Sequence, residues 1–370
     1  MRAIELFAGA GGLAIGVSRA GFHPAVIVER DRWCCGTLRQ NRAACDWPAP
    51  IEGDIRYIDF REHAGIAVVT GGPPCQPFST GGKHRGHADD RDMWSEAVRV
   101  VRETGPRAFI FENVRGLARQ SFASYLGYIL LQLQHPSLGK LAREDWEKHL
   151  ARLQRKHTGR GSIEYRVVHQ VLDAADYGVA QRRHRVVFVG FRSDNNAGWS
   201  FPASTHSAGA LAWSQAHGDY WEKHTVARRD RQVVRAPSVK PMAAPWLTVR
   251  DALSGLPDPK SAQASDWSNH RFQDGAKSYP GHTGSLIDFP AKALKAGVHG
   301  VPGGENMMRR PDGSIRYFTV REAARLQAFP DNWEIQGTWS EAMRQLGNAV
   351  PTTLGEVVAT SVMGHLRAAK

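Results

Sequence analysis

The chain has 370 residues, 42% of them hydrophobic, and this length predicts two lobes with a proper core rather than one small domain. Lysine and arginine exceed aspartate and glutamate by 48 − 36 = 12, which gives a net charge of +12 and a pI of about 9.8. Such a surplus suggests a polyanionic partner, with solubility alone as the plainer alternative. The sequence has no run of 18 apolar residues, so we expect no membrane span.

The four cysteines fit a reducing compartment. Cys34 and Cys35 are adjacent and lack the spacing of zinc ligands, and Cys45 and Cys75 do not suggest a disulfide framework. The chain passes from its first residues directly into a predicted strand, which leaves no room for a signal peptide. We therefore expect a cytoplasmic protein without a metal, in which Cys75 is a free thiol.

The first predicted strand runs into a glycine-rich turn. Residues 4–12 read Ile-Glu-Leu-Phe-Ala-Gly-Ala-Gly-Gly, and a helical pattern follows at residues 13–17. Glycines let the backbone approach a ligand closely, and a helix N-terminus favours polar or anionic groups. Glu29 closes an apolar strand twenty positions after Gly9, where a carboxylate can accept hydrogen bonds from a ribose. Such turns serve NAD, FAD and S-adenosylmethionine alike, and some bind nothing, so this motif alone is weak.

A cysteine stands in a proline-rich loop after the predicted buried strand at residues 66–69. Residues 71–79 read Gly-Gly-Pro-Pro-Cys-Gln-Pro-Phe-Ser. Because proline fixes φ and removes a backbone donor, this segment is neither a helix nor a central strand. Cys75 is therefore predicted on a stiff loop at the C-terminal end of a strand, where open α/β sheets place ligands and chemistry. The alternative is a packed core cysteine, but core cysteines lie inside regular elements.

Further polar residues follow other predicted elements. Asp54 comes after a turn, and Glu112 ends the buried strand at residues 109–111. Gln-Arg-Arg-His-Arg at 181–185 precedes another strand, and Gln-Leu-Gly-Asn-Ala-Val-Pro occupies 345–351. Each could be dismissed alone, since an arginine run is usually a solvated face.

The order of the elements predicts an α/β fold. Residues 1 to about 116 read as strand–helix units around a parallel sheet, and residues 121–157 look helical. Strands are predicted at 165–172 and 185–191. Residues 196–316 are rich in Gly, Pro, Ser, Trp and His without a clean helical period, which predicts a smaller lobe with irregular β content.

The strand–helix pattern then returns near the C-terminus. Thr319 and Glu322 have the spacing of a helix-capping box, and Pro351 is suited to the first turn of a later helix. We therefore expect the C-terminal segment to rejoin the first lobe.

In this order, the motifs resemble those of the DNA (cytosine-5)-methyltransferases, the bacterial modification methylases in particular. The matching motifs are Phe-Ala-Gly-x-Gly-Gly, Pro-Cys-Gln, Glu-Asn-Val, Gln-x-Arg-x-Arg and Gln-x-Gly-Asn-x-Val, with residues 317–331, and they extend from residue 5 to 351. The resemblance implies an S-adenosylmethionine-dependent, Rossmann-like fold with a mostly parallel sheet and helices on both faces. It also implies a catalytic and cofactor-binding lobe at 1–195, a target-recognition lobe at 196–316, and a segment at 317–370 that completes the catalytic lobe.

The resemblance further implies a reaction and the residues that perform it. A cytosine flipped out of double-stranded DNA would be methylated at C5 through a covalent bond between Cys75 and C6. Glu112 would meet N3 and the exocyclic amine, and Arg185, with Arg183 behind it, would supply positive charge. S-adenosylmethionine would be bound by Phe7, Ala8, Gly9, Gly11, Gly12, Glu29, Asp54, Ile55, Pro74, Trp94, Asn348 and Ala349. DNA would be contacted by Ser79, Lys83 and Arg85 on a lid and by Arg228, Arg229 and Arg231 in the recognition lobe.

Three residues depart from the usual pattern of the family. Glu5 stands where aspartate is common, Trp94 where leucine is usual, and Arg30 where a bulky apolar residue is common, which puts adenine stacking at residue 30 in doubt. Trp94 could still cover the adenosyl group with its face.

Other functions remain open at the level of sequence. A related subfamily methylates tRNA, but it usually has a shorter variable region and a Cys-Phe-Thr tripeptide, which this chain lacks. A non-catalytic DNA-binding regulator would be signalled by loss of Cys75 or Glu112, and an NAD oxidoreductase would leave the Pro-Cys-Gln loop without a role. We expect a monomeric restriction–modification or orphan methylase of the bacterial cytosol or nucleoid; a cognate endonuclease, where one exists, would act separately.

Overall fold

A seven-stranded sheet is the centre of the first lobe. The computed structural model describes residues 1–74, 93–157, 164–195, 198–280, 282–296 and 306–368. The strands are β1 Arg2–Leu6, β2 His23–Glu29, β3 Ile51–Glu52, β4 Val68–Gly71, β5 Ala108–Val114, β6 Tyr165–Asp173 and β7 His184–Arg192. Their order is β3-β2-β1-β4-β5-β7-β6, and β7 runs antiparallel to both of its neighbours while the other paired strands are parallel. The prediction of a mostly parallel α/β sheet is confirmed.

Apolar side chains cover both faces of this sheet because alternate residues of a strand point to opposite sides. On β5, Phe109 and Phe111 belong to one apolar cluster, whereas Ala108 and Ile110 belong to another. The helices of this lobe are α1 Gly12–Arg19, α2 Arg32–Cys45, α3 Trp94–Thr104, α4 Ala123–Gln134 and α5 Trp146–His157. The central strands β1, β4 and β5 are thus buried, whereas the edge strands β3 and β6 carry exposed residues.

Short elements make up residues 198–317. The helices are α6 Ala208–His217, α7 Asp219–Lys223 and α8 Val249–Leu253, and the strands are β8 His206–Ser207, β9 Ala244–Pro245, β10 Ser285–Leu286, β11 Met307–Arg309 and β12 Ile315–Tyr317. The irregular β content is as predicted. Helix α6 is not predicted, because the sequence of this region has no clean helical period. This helix is set by its ends instead: the Ser207 hydroxyl accepts a hydrogen bond from Ala210 N, and Gly218 follows its last residue with φ of 100°.

The C-terminal helices are α9 Val320–Leu326, α10 Trp339–Asn348 and α11 Thr352–Ala368. The predicted capping box is present at the start of α9, where the Thr319 hydroxyl accepts from Glu322 N and the Glu322 carboxylate accepts from Thr319 N. α11 packs directly on α1, and a methyl group on Gly16 would lie 2.5 Å from Glu356 N. The C-terminal helix therefore packs on the first lobe.

The segments share one apolar cluster. It joins residues of the first lobe, of the 198–317 region and of the C-terminal segment, among them Ala10, Leu38, Val249, Ala291, Leu294, Phe318, Leu326 and Leu346. Among the described residues, no helix is long and apolar enough to cross a bilayer.

A buried carboxyl group lies in the middle of the sheet. Glu5 on β1 is opposite Thr70 on β4, is 2% exposed, and makes a close hydrogen bond to the Thr70 hydroxyl. That hydroxyl in turn lies 3.2 Å from Ile4 O and can donate to it. Burial raises the pKa of Glu5 to about 8, against the opposing effect of the hydrogen bond that the Thr70 hydroxyl donates to it, so the carboxyl group is protonated at neutral pH.

This pKa predicts a loss of stability with rising pH. Between the unfolded pKa of 4.5 and the folded pKa of about 8, only the native state keeps the Glu5 proton, so its stabilising effect is complete below pH 4.5 and is lost as the pH rises towards 8. Glu5 should by itself lower the free energy of unfolding by ~1.4 kcal/mol per pH unit in this window. The Glu5→Gln variant keeps a neutral donor and should show a shallower slope in urea titrations at pH 5, 6, 7 and 8. Equal slopes for both proteins would show that Glu5 is not protonated.

Candidate functional site

An ion pair lies where β5 ends and β7 begins. Arg185 Nε makes a close ion pair with Glu112 Oε1, and both side chains are almost fully buried. The pair is diagonal across the antiparallel strands, since Glu112 is opposite Val187 and Val114 is opposite Arg185. Burial raises the pKa of Glu112, and the two nearby arginines, Arg185 first, oppose that rise. Burial therefore favours a proton on this carboxyl group, and the arginines favour its charged form.

The loop that leads to Cys75 passes over this carboxyl group. A methyl group on Gly72 would come within 3.3 Å of Glu112 Oε2. The neighbouring side chain fixes the same loop, because Asn113 Nδ2 donates to Pro73 O at 2.8 Å. Pro74 is exposed, and its carbonyl accepts from Met93 N. The chain is thus anchored beside Glu112 immediately before the predicted nucleophile.

Cys75 itself, with the predicted lid residues Ser79, Lys83 and Arg85, lies outside the described residues. The other thiols are poor candidates for a nucleophile. Cys34 and Cys35 are buried, and burial raises the pKa of both, to about 12 for Cys35. Burial also raises the pKa of the half-buried Cys45. A thiolate is therefore disfavoured at each of these three positions.

Arg183 lies close to the Glu112–Arg185 pair and is held by backbone carbonyls of distant segments. Its side chain is 1% exposed; Nη1 donates to Leu294 O at 3.0 Å and Nη2 donates to Gly347 O at 2.5 Å. Both donors are directed at backbone carbonyls and not towards a space for a base. The sequence predicts Arg183 behind Arg185 as a source of charge. It does not predict the two carbonyls that hold the guanidinium, because they are distant in the chain.

The glycine-rich turn and the end of β2 form the candidate cofactor site. Phe7, Gly9 and Gly11 have φ of 54°, 55° and 88°, a conformation that glycine adopts without strain. Gly9 N donates to Glu29 Oε2 at 2.7 Å, and Glu29 Oε1 accepts from the amides of Arg30 and Asp31. Three backbone donors therefore hold this carboxylate directly beside the turn.

Two further predicted cofactor residues follow β3. The Asp54 carboxylate accepts from Arg56 N, Nε and Nη2, and these bonds lower the pKa of Asp54 to about 2. It is thus ionised at neutral pH and able to accept from an amine. Ile55 is 4% exposed and its side chain packs in the core.

The second half of the glycine turn meets the C-terminal segment. Ala8 is nearly buried, and Gly12 has no room for a side chain because a methyl group there would collide with Val350 O. Ala349 is 7% exposed, whereas Asn348 is exposed at the end of α10. The Phe-Ala-Gly-x-Gly-Gly and Gln-x-Gly-Asn-x-Val motifs are therefore neighbours in space.

The predicted cofactor contact of Trp94 does not fit its position. Its ring is 1% exposed and packs edge-on against Phe111 and Phe188, with centroid distances of 6.0 and 5.1 Å. Trp94 anchors the start of α3 in the core and offers no open face to an adenosyl group.

The predicted DNA-contacting arginines lie on the surface of the 198–317 region. Arg228 and Arg229 are exposed in a single 3₁₀ turn, and Arg229 is 3.8 Å from Asp230. Arg231 is half-buried, and its Nε donates to Val226 O. Two of the three guanidinium groups are therefore open to a partner.

Sequence reasoning missed residues that support the site. Asp173 accepts from Arg182 Nε and from Arg183 N, and Gln181 Oε1 accepts from Leu294 N. The signal available for Gln181 was its place at the head of the Gln-x-Arg-x-Arg motif. Among the described residues, no group of three or more His, Cys, Asp or Glu is arranged to hold a metal ion.

The strand order with its one antiparallel strand, the glycine turn with Glu29, and the buried Glu112–Arg185 pair beside Gly72 and Pro73 are typical of an S-adenosylmethionine-dependent methyltransferase fold. The model of the C-5 cytosine-specific DNA methylase family matches residues 1–136 and 147–364. The chain belongs to this family and is a DNA (cytosine-5)-methyltransferase.

Known proteins agree with this assignment. The type II methyltransferase M.NgoMIV of Neisseria gonorrhoeae is 31% identical over 369 residues, which cover 98% of this chain and 97% of that protein. M.AquIA of Picosynechococcus sp. is 37% identical over 273 residues, covering 70% of this chain and 92% of its own. The crystal structure of the S. pombe Dnmt2 methyltransferase shares the fold, with a TM-score of 0.60 at 16% identity over 100% of this chain and 99% of that chain. The family match favours DNA methylation over the tRNA, regulatory and NAD-dependent alternatives.

Proposed function

We propose that the protein methylates C5 of a flipped-out cytosine in double-stranded DNA, with Cys75 as the nucleophile that adds to C6. The observation that carries this proposal is the buried Glu112–Arg185 pair beside the Gly72–Pro73 turn, one residue before Pro74 and two before Cys75. A flipped base entering beside that turn would meet the carboxyl group at one edge and the thiol at its ring.

The residues act in sequence on the base. Addition of the Cys75 thiolate to C6 turns C5 into a nucleophile, so one difficult step becomes two easier ones. Glu112, whose pKa is raised by burial, holds a proton at N3 and stabilises the electron-rich ring. Arg185 keeps Glu112 in place and contributes positive charge. C5 would take the methyl group from S-adenosylmethionine, which would leave as S-adenosylhomocysteine. Loss of the C5 proton would then expel the Cys75 thiolate from C6 and restore the ring.

We propose S-adenosylmethionine as the methyl donor; its sulfonium supplies an electrophilic methyl group. The glycine turn from Phe7 to Gly12 and the carboxyl groups of Glu29 and Asp54 fit this molecule, because a side-chain acceptor follows each of two strands beside the turn, and that of Asp54 is ionised at neutral pH. Asn348 and Ala349 would meet its methionine end. We do not include Trp94 in this set, since its ring is enclosed.

We propose that residues 196–316 form the target-recognition lobe and that 317–370 completes the catalytic lobe 1–195. The packing of α11 on α1 supports this division, as does the series of short elements in the middle segment. The basic surface with Arg228 and Arg229 supports contact with the DNA backbone. The protein would act as a cytoplasmic monomer of the bacterial modification type, with any cognate endonuclease acting separately.

Removing the two exposed charges should weaken DNA binding without altering catalysis on bound DNA. Replacing both Arg228 and Arg229 with alanine should lower the slope of log Kd against log salt by about 2, since each phosphate contact contributes ~0.9. Fluorescence anisotropy with one duplex at several salt concentrations measures this slope. An Arg143→Ala, Lys156→Ala variant, with two cations removed from the first lobe, is the control for net charge alone. Equal slopes for the two variants would place the Arg228–Arg229 surface away from the DNA.

The proposed reaction is tested by incubating the purified protein with labelled S-adenosylmethionine and with matched duplex DNA or tRNA. Label should enter duplex DNA and appear as 5-methylcytosine on nucleoside analysis, and bisulfite sequencing then gives the target site. Label in tRNA but not in DNA, or in a base other than cytosine, would contradict the proposal.

A further inference from the structure

A buried polar connection joins the 198–317 region to the start of β7. Arg182 N donates to Ala291 O and Ala291 N donates to Ala180 O, both at 2.8 Å, so this short stretch of backbone is paired with the turn that precedes Arg185. Three residues further along, Leu294 N donates to Gln181 Oε1 at 3.2 Å, and Leu294 O accepts from Arg183 Nη1 at 3.0 Å. The side chains of Gln181 and Arg183 thus hydrogen-bond to the backbone N–H and C=O of Leu294.

The same connection includes the C-terminal segment. Arg183 Nη2 donates to Gly347 O, and a methyl group on Gly347 would lie 2.5 Å from Ala296 N. Gln181 Nε2 also lies 3.4 Å from Leu326 O. Segments 291–296 and 326–347 therefore meet around the Gln181 and Arg183 side chains, next to the motif predicted to border the cofactor.

Arg183 lies immediately before β7 and two residues before Arg185. The Arg183 guanidinium is also close enough to Glu112 to lower the pKa of that carboxyl group. A shift of segment 291–296 would therefore move the start of β7, the strand that carries Arg185 to Glu112.

We propose that Arg183, assisted by Gln181, is a positioning residue that couples DNA binding by the recognition lobe to the alignment of Glu112 and Arg185. Its guanidinium does not touch the base; it transmits the position of segment 291–296 to the start of β7. Correct DNA on the lobe then completes the catalytic geometry, and incorrect DNA leaves it misaligned. This inference rests on the proposed roles of Glu112 and Arg185.

The Arg183→Lys variant tests the coupling. A lysine amine cannot span both carbonyls, so one link is lost while a charge remains. Because small misplacements can cost ~10²-fold in rate, kcat should fall about 10- to 100-fold. The Kd for DNA and for S-adenosylmethionine should stay within about threefold, since neither ligand is touched. The preference for the target over a duplex with one altered base pair, measured as a ratio of kcat/KM, should fall as well.

Arg321→Lys is the matched control. Arg321 is also fully buried and donates to backbone carbonyls, three of them where Arg183 has two. Its partners are Ser268, Pro330 and Trp333, none of which lies in β7 or in segment 291–296. This variant should lose thermal stability while its kcat per folded molecule, counted by bound S-adenosylmethionine, and its target preference stay at wild-type values. Should Arg183→Lys fail to fold, Gln181→Met removes the Leu294 and Leu326 contacts without a buried charge and is judged by the same measurements.

The outcomes separate the coupling from the function beneath it. Wild-type protein that does not methylate cytosine would overturn the proposed function. A methylating wild type whose Arg183→Lys and Gln181→Met variants keep full kcat and target preference per bound molecule would overturn the coupling alone. Loss of kcat in Arg321→Lys equal to that in Arg183→Lys would also overturn it, because any buried arginine would then have the same effect.

Discussion

Replacing Cys75 with alanine is expected to abolish methyl transfer and to leave the affinity for duplex DNA largely intact. The physical reason is that C5 of cytosine is a poor nucleophile until a thiolate adds to C6, and alanine offers nothing to add. The backbone that precedes residue 75 is held independently of the thiol, because Asn113 Nδ2 donates to Pro73 O. Incorporation of labelled methyl groups measures the first effect, and anisotropy with the same duplex measures the second.

The control for this variant is Cys45→Ala. Cys45 is the half-buried thiol among the described cysteines, and it lies at the end of α2, away from Glu112. Its loss should leave activity within a few-fold. Robust turnover by Cys75→Ala, or a comparable loss in Cys45→Ala, would contradict nucleophilic catalysis by Cys75.

Replacing Glu112 with glutamine should slow the reaction by about 10²- to 10⁴-fold, the range that general acid–base groups contribute. Glutamine keeps the size of the side chain and can donate a hydrogen bond, but it cannot hold a transferable proton at N3. It also leaves Arg185 buried without its anionic partner, which adds disorder to the pair. Single-turnover methyl transfer at saturating DNA isolates this step from binding.

Glu5→Gln is the matched control for Glu112→Gln. Glu5 is equally buried in the same sheet, and its raised pKa means that the native side chain is already neutral at pH 7. The amide should therefore change single-turnover rates little at that pH. Wild-type rates in Glu112→Gln would show that Glu112 has another role.

The sequence predicts this site well wherever the signal is local. Glu29 closes β2, Glu112 follows the apolar part of β5, and Thr319 and Glu322 are three residues apart in a capping box. Each pattern fixes the backbone position of a side chain within a few residues. Because parallel strands carry their C-terminal ends to one edge, β2 and β5 bring their carboxylates to the same side of the molecule.

Side-chain direction is the part that the sequence does not predict. Arg183 is turned by carbonyls 111 and 164 residues away, and Trp94 is drawn into the core by Phe111 and Phe188. A motif gives the position of a residue along a strand but not the distant partners that compete for it. For the same reason, the link between Gln181 and Leu294 is visible only in the folded chain.

A duplex with 5-fluorocytosine at the mapped target tests whether Cys75 forms a covalent bond with C6 of the target cytosine. Fluorine cannot leave C5 as a proton does, so the thiol should remain attached after methyl transfer. We expect a complex that survives a denaturing gel and needs S-adenosylmethionine for full yield. It should form slowly with Glu112→Gln, and the modified base should be attached to the peptide that contains Cys75. Absence of this complex with active wild-type protein, or its attachment to another residue, would show that Cys75 does not form the covalent bond.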